Sequence, residues 1–103
     1  MTEDGFRKLA LGLPDAVEAS HMNHPDFRVR GKIFATIYRG MGMVKLTPDQ
    51  QEMFVKIAPE IFRPVKGGWG LKGATSVILK EANTKITRDA LLTAWRNVAA
   101  ARR

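Results

Sequence analysis

Three cations stand at alternate positions of one short segment. Arg28, Arg30 and Lys32 are each separated by one residue, and Phe27 and Val29 precede the two arginines. Because successive side chains of a strand point to opposite faces, the two arginines are predicted to share one face and the apolar residues the other. Guanidinium groups match the geometry of phosphate, so the segment is a candidate contact for a nucleic-acid backbone. A solvated polar strand face is the alternative interpretation.

A glycine-rich segment over residues 66–73 is the second candidate site. It interleaves Lys66 and Lys72 with Trp69 and four glycines. Backbone amides, cations and an indole ring together suit a phosphate or a base. The glycines also fit the G-x-G-x-x-G spacing, but no predicted parallel strand and helix surround them, so a dinucleotide site is rejected. The alternative is a structural turn in which Trp69 folds back over the core.

A third group of residues has the types that bind zinc, namely His21, His24 and Asp26. On a strand or turn this spacing does not bring the two imidazoles together, and no fourth ligand is evident. Ser20 precedes His21, but neighbouring strand residues point to opposite faces and do not form a nucleophile–base pair. The sequence therefore predicts no metal site, no cofactor and no catalytic residue, and we expect a non-enzymatic protein.

Composition and charge limit the classes of protein that are compatible with the chain. Its 103 residues indicate a single domain over 1–103, and the absence of cysteine excludes disulfides, thiolate metal sites and cysteine nucleophiles. The net charge of +7 is uneven, because residues 1–50 carry +1 and residues 51–103 carry +6. A basic surface attracts polyanions such as nucleic acid or anionic lipid, and the alternative is a soluble surface with surplus lysine. No apolar run is long enough to span a membrane, and the acidic opening residues differ from a signal peptide, so a cytoplasmic location is expected.

Hydrophobic periodicity divides the chain into three helices and five strands around these candidate sites. The strands follow one another too closely for helical crossovers, which predicts an antiparallel sheet with helices on one face. The predicted elements are a helix ending before Pro14, four strands within 17–46, a helix opened by a Thr47–Gln50 capping box, an irregular or extended connector over 62–65, a strand over 75–79 and a helix capped by Thr87. The predicted turns lie at 23–26, 30–32 and 39–42, and residues 102–103 are expected to fray.

The order of short motifs along the chain resembles the MmcQ/YjbR-like family of small bacterial proteins. The motifs that carry the resemblance are Leu11-Gly12-Leu13-Pro14 with Val17-Glu18, Phe27-Arg28-Val29-Arg30-Gly31-Lys32-Ile33-Phe34-Ala35, Lys45-Leu46-Thr47, Ala58-Pro59-Glu60-Ile61-Phe62, Trp69-Gly70, Gly73-Ala74-Thr75-Ser76-Val77-Ile78-Leu79 and Ala94-Trp95-Arg96. The resemblance implies a two-layer α+β fold in which two to three helices pack on one face of an antiparallel sheet, in the order α-β(4)-α-β-α. It also implies a similarity to the "double wing" domain of a phage transcription factor, and hence DNA binding by analogy of fold.

These observations lead to a nucleic-acid-binding or regulatory domain as the expected function, with DNA a better candidate than RNA. The residues expected to contact nucleic acid are Arg28, Arg30, Lys32, Lys66, Trp69 and Lys72. The cations would neutralise backbone phosphates, and Trp69 would stack on a base or wedge between bases. A protein- or small-ligand-interaction module without a nucleic-acid role is the alternative. Exposed edge strands would permit a homodimer.

Overall fold

The structure is a computed structural model that describes residues 1–100. Within them the chain alternates between helices and one antiparallel sheet, as predicted. The elements are α1 Glu3–Leu11, β1 Val17–His21, β2 His24–Val29, β3 Lys32–Tyr38, β4 Met41–Lys45, α2 Pro48–Ile57, β5 Phe62–Pro64, α3 Gly68–Leu71, β6 Ala74–Ile78 and α4 Thr84–Ala100, with a 3₁₀ turn at Leu79–Glu81. The prediction for residues 102–103 lies outside the described part of the chain.

Three hairpins with two-residue turns join the first four strands. The turn residues at 22–23, 30–31 and 39–40 all have positive φ, which is the backbone geometry that matches the twist of paired strands. The hairpin tip predicted over 30–32 is confirmed at Arg30 and Gly31, whereas Lys32 already belongs to β3. The turns predicted over 23–26 and 39–42 are wrong in extent, because His24 to Asp26 belong to β2 and Met41 and Gly42 belong to β4. Pro25 is tolerated there because it pairs only with Ser20 of β1, and the β2–β3 ladder begins at the next residue, Asp26.

The sheet has the strand order β1-β2-β3-β4-β6-β5, and every neighbouring pair is antiparallel. Helix α4 packs across β3 and β4 with α1 beside it, and α2 packs on β5 and β6. The buried core therefore lies between the helices and one sheet face. Its largest fully buried apolar side chains are Phe6, Phe27, Phe34, Phe62, Ile37, Leu91, Val29, Val44 and Val77. The opposite face carries none of the three long helices.

Three local predictions need correction. The extended connector pairs with β6 as the short edge strand β5, and the glycine-rich segment forms one turn of helix, α3. Thr87 is not the cap of the last helix, because α4 begins at Thr84 and the Asn83 side chain accepts the Ile86 amide at 3.1 Å. By contrast, the Thr47–Gln50 capping box is confirmed. Within residues 1–100 no helix has the length and apolar character that crossing a membrane requires.

Candidate functional site

The register of the sheet brings distant basic residues to one end. The end of β2 pairs with the start of β3 through Val29 and Lys32, and the end of β4 pairs with the start of β6 through Lys45 and Ala74. The Val65 amide, just beyond β5, donates to the Ala74 carbonyl at 3.0 Å. The 30–32 tip and the 66–73 segment therefore meet the same end of the sheet. We call the cations there the basic end: Arg30, Lys32, Lys45, Lys66 and Lys72.

No cation of the basic end forms an ion pair with a carboxylate among residues 1–100. In the described residues, the cations with a carboxylate within 4.0 Å are Arg7, Lys8 and Arg28. None of these belongs to the basic end. Lys32 is the first residue of β3, and Lys66 lies two residues beyond β5. These two strands are three strand spacings, or about 14 Å, apart. The end of the sheet therefore presents positive charge across a width that a nucleic-acid backbone can follow.

Arg28 does not belong to this group. Its Nε donates to Asp26 Oδ1 at 2.8 Å and its Nη2 donates to Oδ2 at 3.1 Å. The Asp26 side chain is 2% exposed, whereas that of Arg28 is 31% exposed. The hydrogen bonds that Arg28 donates to Asp26, and then the negative charge of Asp26, raise the pKa of Arg28 above its ordinary value. The charge of Arg28 is therefore paired internally, unlike those of the basic end.

Arg30 was predicted to lie on the same strand face as Arg28, but the structure places it in a turn. It occupies the first position of the β2–β3 turn with φ 55°, and its side chain is exposed. Gly31 follows with φ 77° and has open space around it. The hairpin therefore presents Arg30 at its tip and Lys32 at the start of the next strand, both accessible to a large ligand.

Packing explains two of the four glycines of the 66–73 segment, Gly70 and Gly73. A Cβ added at Gly70 would overlap the carbonyl oxygen of Val65, and one added at Gly73, where φ is 113°, would overlap that of Leu46. Gln51 of α2 fixes the segment, because its Nε2 donates to the carbonyls of Gly70 at 3.0 Å and Ala74 at 2.9 Å. The antiparallel pairing of the flanking strands β5 and β6 agrees with the rejection of a dinucleotide fold.

Trp69 is 67% exposed, so the alternative in which it covers the core is wrong. Its ring instead borders a cleft of about 350 Å³ on the sheet face that the three long helices leave uncovered. The cleft is mostly apolar, with Lys45 as its only lysine or arginine among the lining residues. The residues that line it are His21, Ile33, Thr36, Met43, Lys45, Val65, Trp69 and Ala74.

The two histidines do not converge on a metal site. His24 packs edge-on against Tyr38 with ring centroids 4.3 Å apart, and Asp26 is engaged by Arg28. Within residues 1–100, no group of three His, Asp or Glu side chains has the arrangement that a metal ion requires. His21 instead lines the cleft and a second cavity of about 210 Å³ that also shares Ile33 and Thr36 with it.

Sequence reasoning missed Lys45 and the cleft. The signal for Lys45 is the alternation of Met41, Met43 and Lys45 along β4, which places the three on one face. The cross-strand pairs Thr36–Met43 and Met43–Ser76 identify that face as the uncovered one only once the register is known. The cleft depends on contacts among four strands and α3, and no local pattern encodes it.

Comparisons with known proteins agree with this architecture. A family model described as YjbR matches residues 11–97. No curated protein matches the chain. Among solved structures, the crystal structure of Deinococcus radiodurans protein DR2400, with the family-model domain DUF419, is similar with a TM-score of 0.77. The alignment has 18% identity and covers 95% of this chain and 78% of that chain, so it shows a shared fold.

Proposed function

The chain belongs to the YjbR family, and we propose that it is a non-enzymatic nucleic-acid-binding protein whose basic end contacts backbone phosphates. DNA is the proposed partner in preference to RNA. The observation that carries the proposal is the register, which gathers five cations from three separate segments at one end of the sheet. Cations gathered in this way attract a polyanion much more strongly than the same number dispersed over the surface.

The free state of these charges supports the proposal. Arg30, Lys32, Lys66 and Lys72 are exposed, and the ion pairs of the described residues lie elsewhere. Each cation that binds a phosphate releases condensed counterions, so affinity falls as salt rises. Five such contacts correspond to a logarithmic slope of about 3.5 on single strands and about 4.5 on duplex DNA.

The proposal is tested by the anisotropy of labelled oligonucleotides, single-stranded and duplex, at about 50 mM and about 200 mM salt. Lys32→Ala and Lys66→Ala are each expected to lower the affinity and to reduce the salt slope by about one. The matched control is Lys85→Ala, which also removes one positive charge. Lys85 lies at the start of α4, far from the end of that helix that contacts the basic end. Lys85 lies about 18 Å along that helix from Asn97, the residue that contacts Lys45.

Two results would contradict the proposal. One is the absence of binding to either oligonucleotide at low salt. The other is an equal effect of Lys85→Ala and Lys32→Ala, because diffuse net charge and not the basic end would then carry the binding. A protein- or small-ligand-interaction module would instead bind its ligand with little dependence on salt.

A further inference from the structure

The cleft on the uncovered sheet face adjoins the basic end and shares one residue with it. Lys45 is a member of the basic end, and Trp69 lies between Lys66 and Lys72 along the chain. A phosphate bound at this end therefore stands beside an apolar recess of about 350 Å³. The position of the recess indicates what part of a nucleic acid it would receive.

The chemistry of the cleft suits the face of a nucleobase. Trp69 supplies an exposed indole ring at one side, and Ile33 and Met43 supply an apolar surface. Bases stack on indole rings whatever their sequence, and the thioether of methionine makes favourable contacts with aromatic rings. Lys45 supplies one positive charge at the same recess, where it can meet the phosphate of the stacked nucleotide.

We propose that the cleft receives one unpaired base, so that the site binds single-stranded nucleic acid in preference to duplex. This inference rests on the proposed function. In a duplex both faces of each base are stacked on neighbours, and only the base edges are open in the grooves. A duplex can therefore use the basic end alone, whereas a single strand can use both the basic end and the cleft.

Two variants separate the cleft from the cations. Trp69→Ala removes the stacking ring and is expected to weaken single-strand binding by about 5-fold to about 150-fold. Thr36→Phe fills the cleft from its sheet side, since Thr36 is half-buried and lines both cavities. Thr93→Phe is the matched control, because Thr93 is half-buried in the groove between α2 and α4. Thermal unfolding of each variant verifies that it is folded before its binding is compared.

The experiment compares oligothymidine of about 12 nucleotides with a duplex of equal length at low salt, by anisotropy. Intrinsic fluorescence is recorded in a Trp95→Phe background, where Trp69 is the one remaining tryptophan. We expect the single strand to bind at least about tenfold more tightly and to quench Trp69. Trp69→Ala and Thr36→Phe should each weaken single-strand binding and leave duplex binding unchanged, and Thr93→Phe should change neither.

The outcomes distinguish this inference from the proposed function. Salt-dependent binding of both oligonucleotides with equal affinity and unchanged Trp69 emission would overturn the inference and leave the proposed function standing. A folded Thr36→Phe variant that binds the single strand as the wild type does would likewise overturn the inference alone. Absence of binding to both oligonucleotides would overturn the proposed function and the inference together.

Discussion

Asp26 and Arg28 lie on the same face of β2, and their side chains form a two-point ion pair with N–O distances of 2.8 and 3.1 Å. The pair is asymmetric, because the carboxylate is buried while the guanidinium is partly exposed. A buried carboxylate that loses its partner is costly, so Arg28 serves the fold of the hairpin. The neighbouring Arg30, at the tip of the same hairpin, has no such partner among the described residues.

This contrast predicts opposite effects for two similar substitutions. Arg28→Ala should lower the melting temperature, since it leaves Asp26 buried without a counter-charge, and should change nucleic-acid affinity little. Arg30→Ala should leave the melting temperature unchanged and weaken binding, with a salt slope smaller by about one. Thermal unfolding and anisotropy on the same two proteins measure both effects. Equal loss of affinity in the two variants would mean that Arg28 contacts the ligand despite its pairing.

The hairpins show what the sequence could predict of the fold. The alternation around Arg30 and Gly31, with glycine suited to positive φ, correctly located the tip and the antiparallel pairing. The start of β2 was missed because Pro25 is typical of turns, and only pairing with β1 shows that it is part of a strand. Local sequence patterns therefore predicted the order of the helices and strands. The first and last residues of each strand depended on its pairing with neighbouring strands.

The candidate site was predicted only in part, because its geometry is set by contacts that are distant in sequence. Glycine disfavours helices, which predicts a loop at 66–73, whereas the Leu71 and Lys72 amides donate to the carbonyls of Gly67 and Gly68 and form the single turn of α3. The side chain that holds this turn, Gln51, is distant in sequence. Asp26 and Arg28 have the spacing of same-face neighbours, but the spacing does not reveal that the carboxylate is buried. Lys45 was absent from the predicted site since its proximity to the 66–73 segment arises from the β4–β6 pairing.

The glycines of α3 offer a test of the packing that positions Trp69. Gly70→Ala would place a methyl group against the Val65 carbonyl and should destabilise the protein by at least about 2 kcal/mol. Gly68→Ala is the matched control, because the space around Gly68 is open and its φ is not positive. It should be neutral or stabilising by about 0.5 kcal/mol. Urea unfolding gives both values, and similar stabilities for the two variants would contradict the close approach.

Gln51 is predicted to hold the 66–73 segment in place. Gln51→Ala removes two hydrogen bonds, although both carbonyls keep a backbone donor, so the expected loss is about 1–2 kcal/mol. In a Trp95→Phe background the anisotropy of Trp69 emission should fall, because the segment that carries the ring moves more freely. Glu52→Ala, at the next and exposed position of α2, should change neither quantity. Unchanged Trp69 anisotropy in Gln51→Ala would show that the glycine packing alone fixes the segment.

Gln50 and Asn97 are predicted to position Lys45 from the helix side of the sheet. Asn97 Nδ2 donates to the Lys45 carbonyl at 3.1 Å and to Gln50 Oε1 at 2.7 Å, and Gln50 Oε1 also accepts the Thr47 amide at 2.9 Å. The two side chains therefore connect α4, the cap of α2 and the end of β4. In a double-mutant cycle on the free energy of unfolding, Gln50→Ala and Asn97→Ala should show a coupling energy of about 0.5–3 kcal/mol.

The same cycle extends to ligand binding, because the network ends on the backbone of a basic-end residue. Asn97→Ala frees the Lys45 carbonyl and should weaken single-strand binding less than Lys45→Ala does, since the ammonium group remains. With Lys45→Ala as the background, Asn97→Ala should have little further effect on affinity, as expected for residues that act through one position. Anisotropy titrations of the two single variants and the double variant measure this. Fully additive losses of affinity would show that Asn97 acts on binding by a route that does not pass through Lys45.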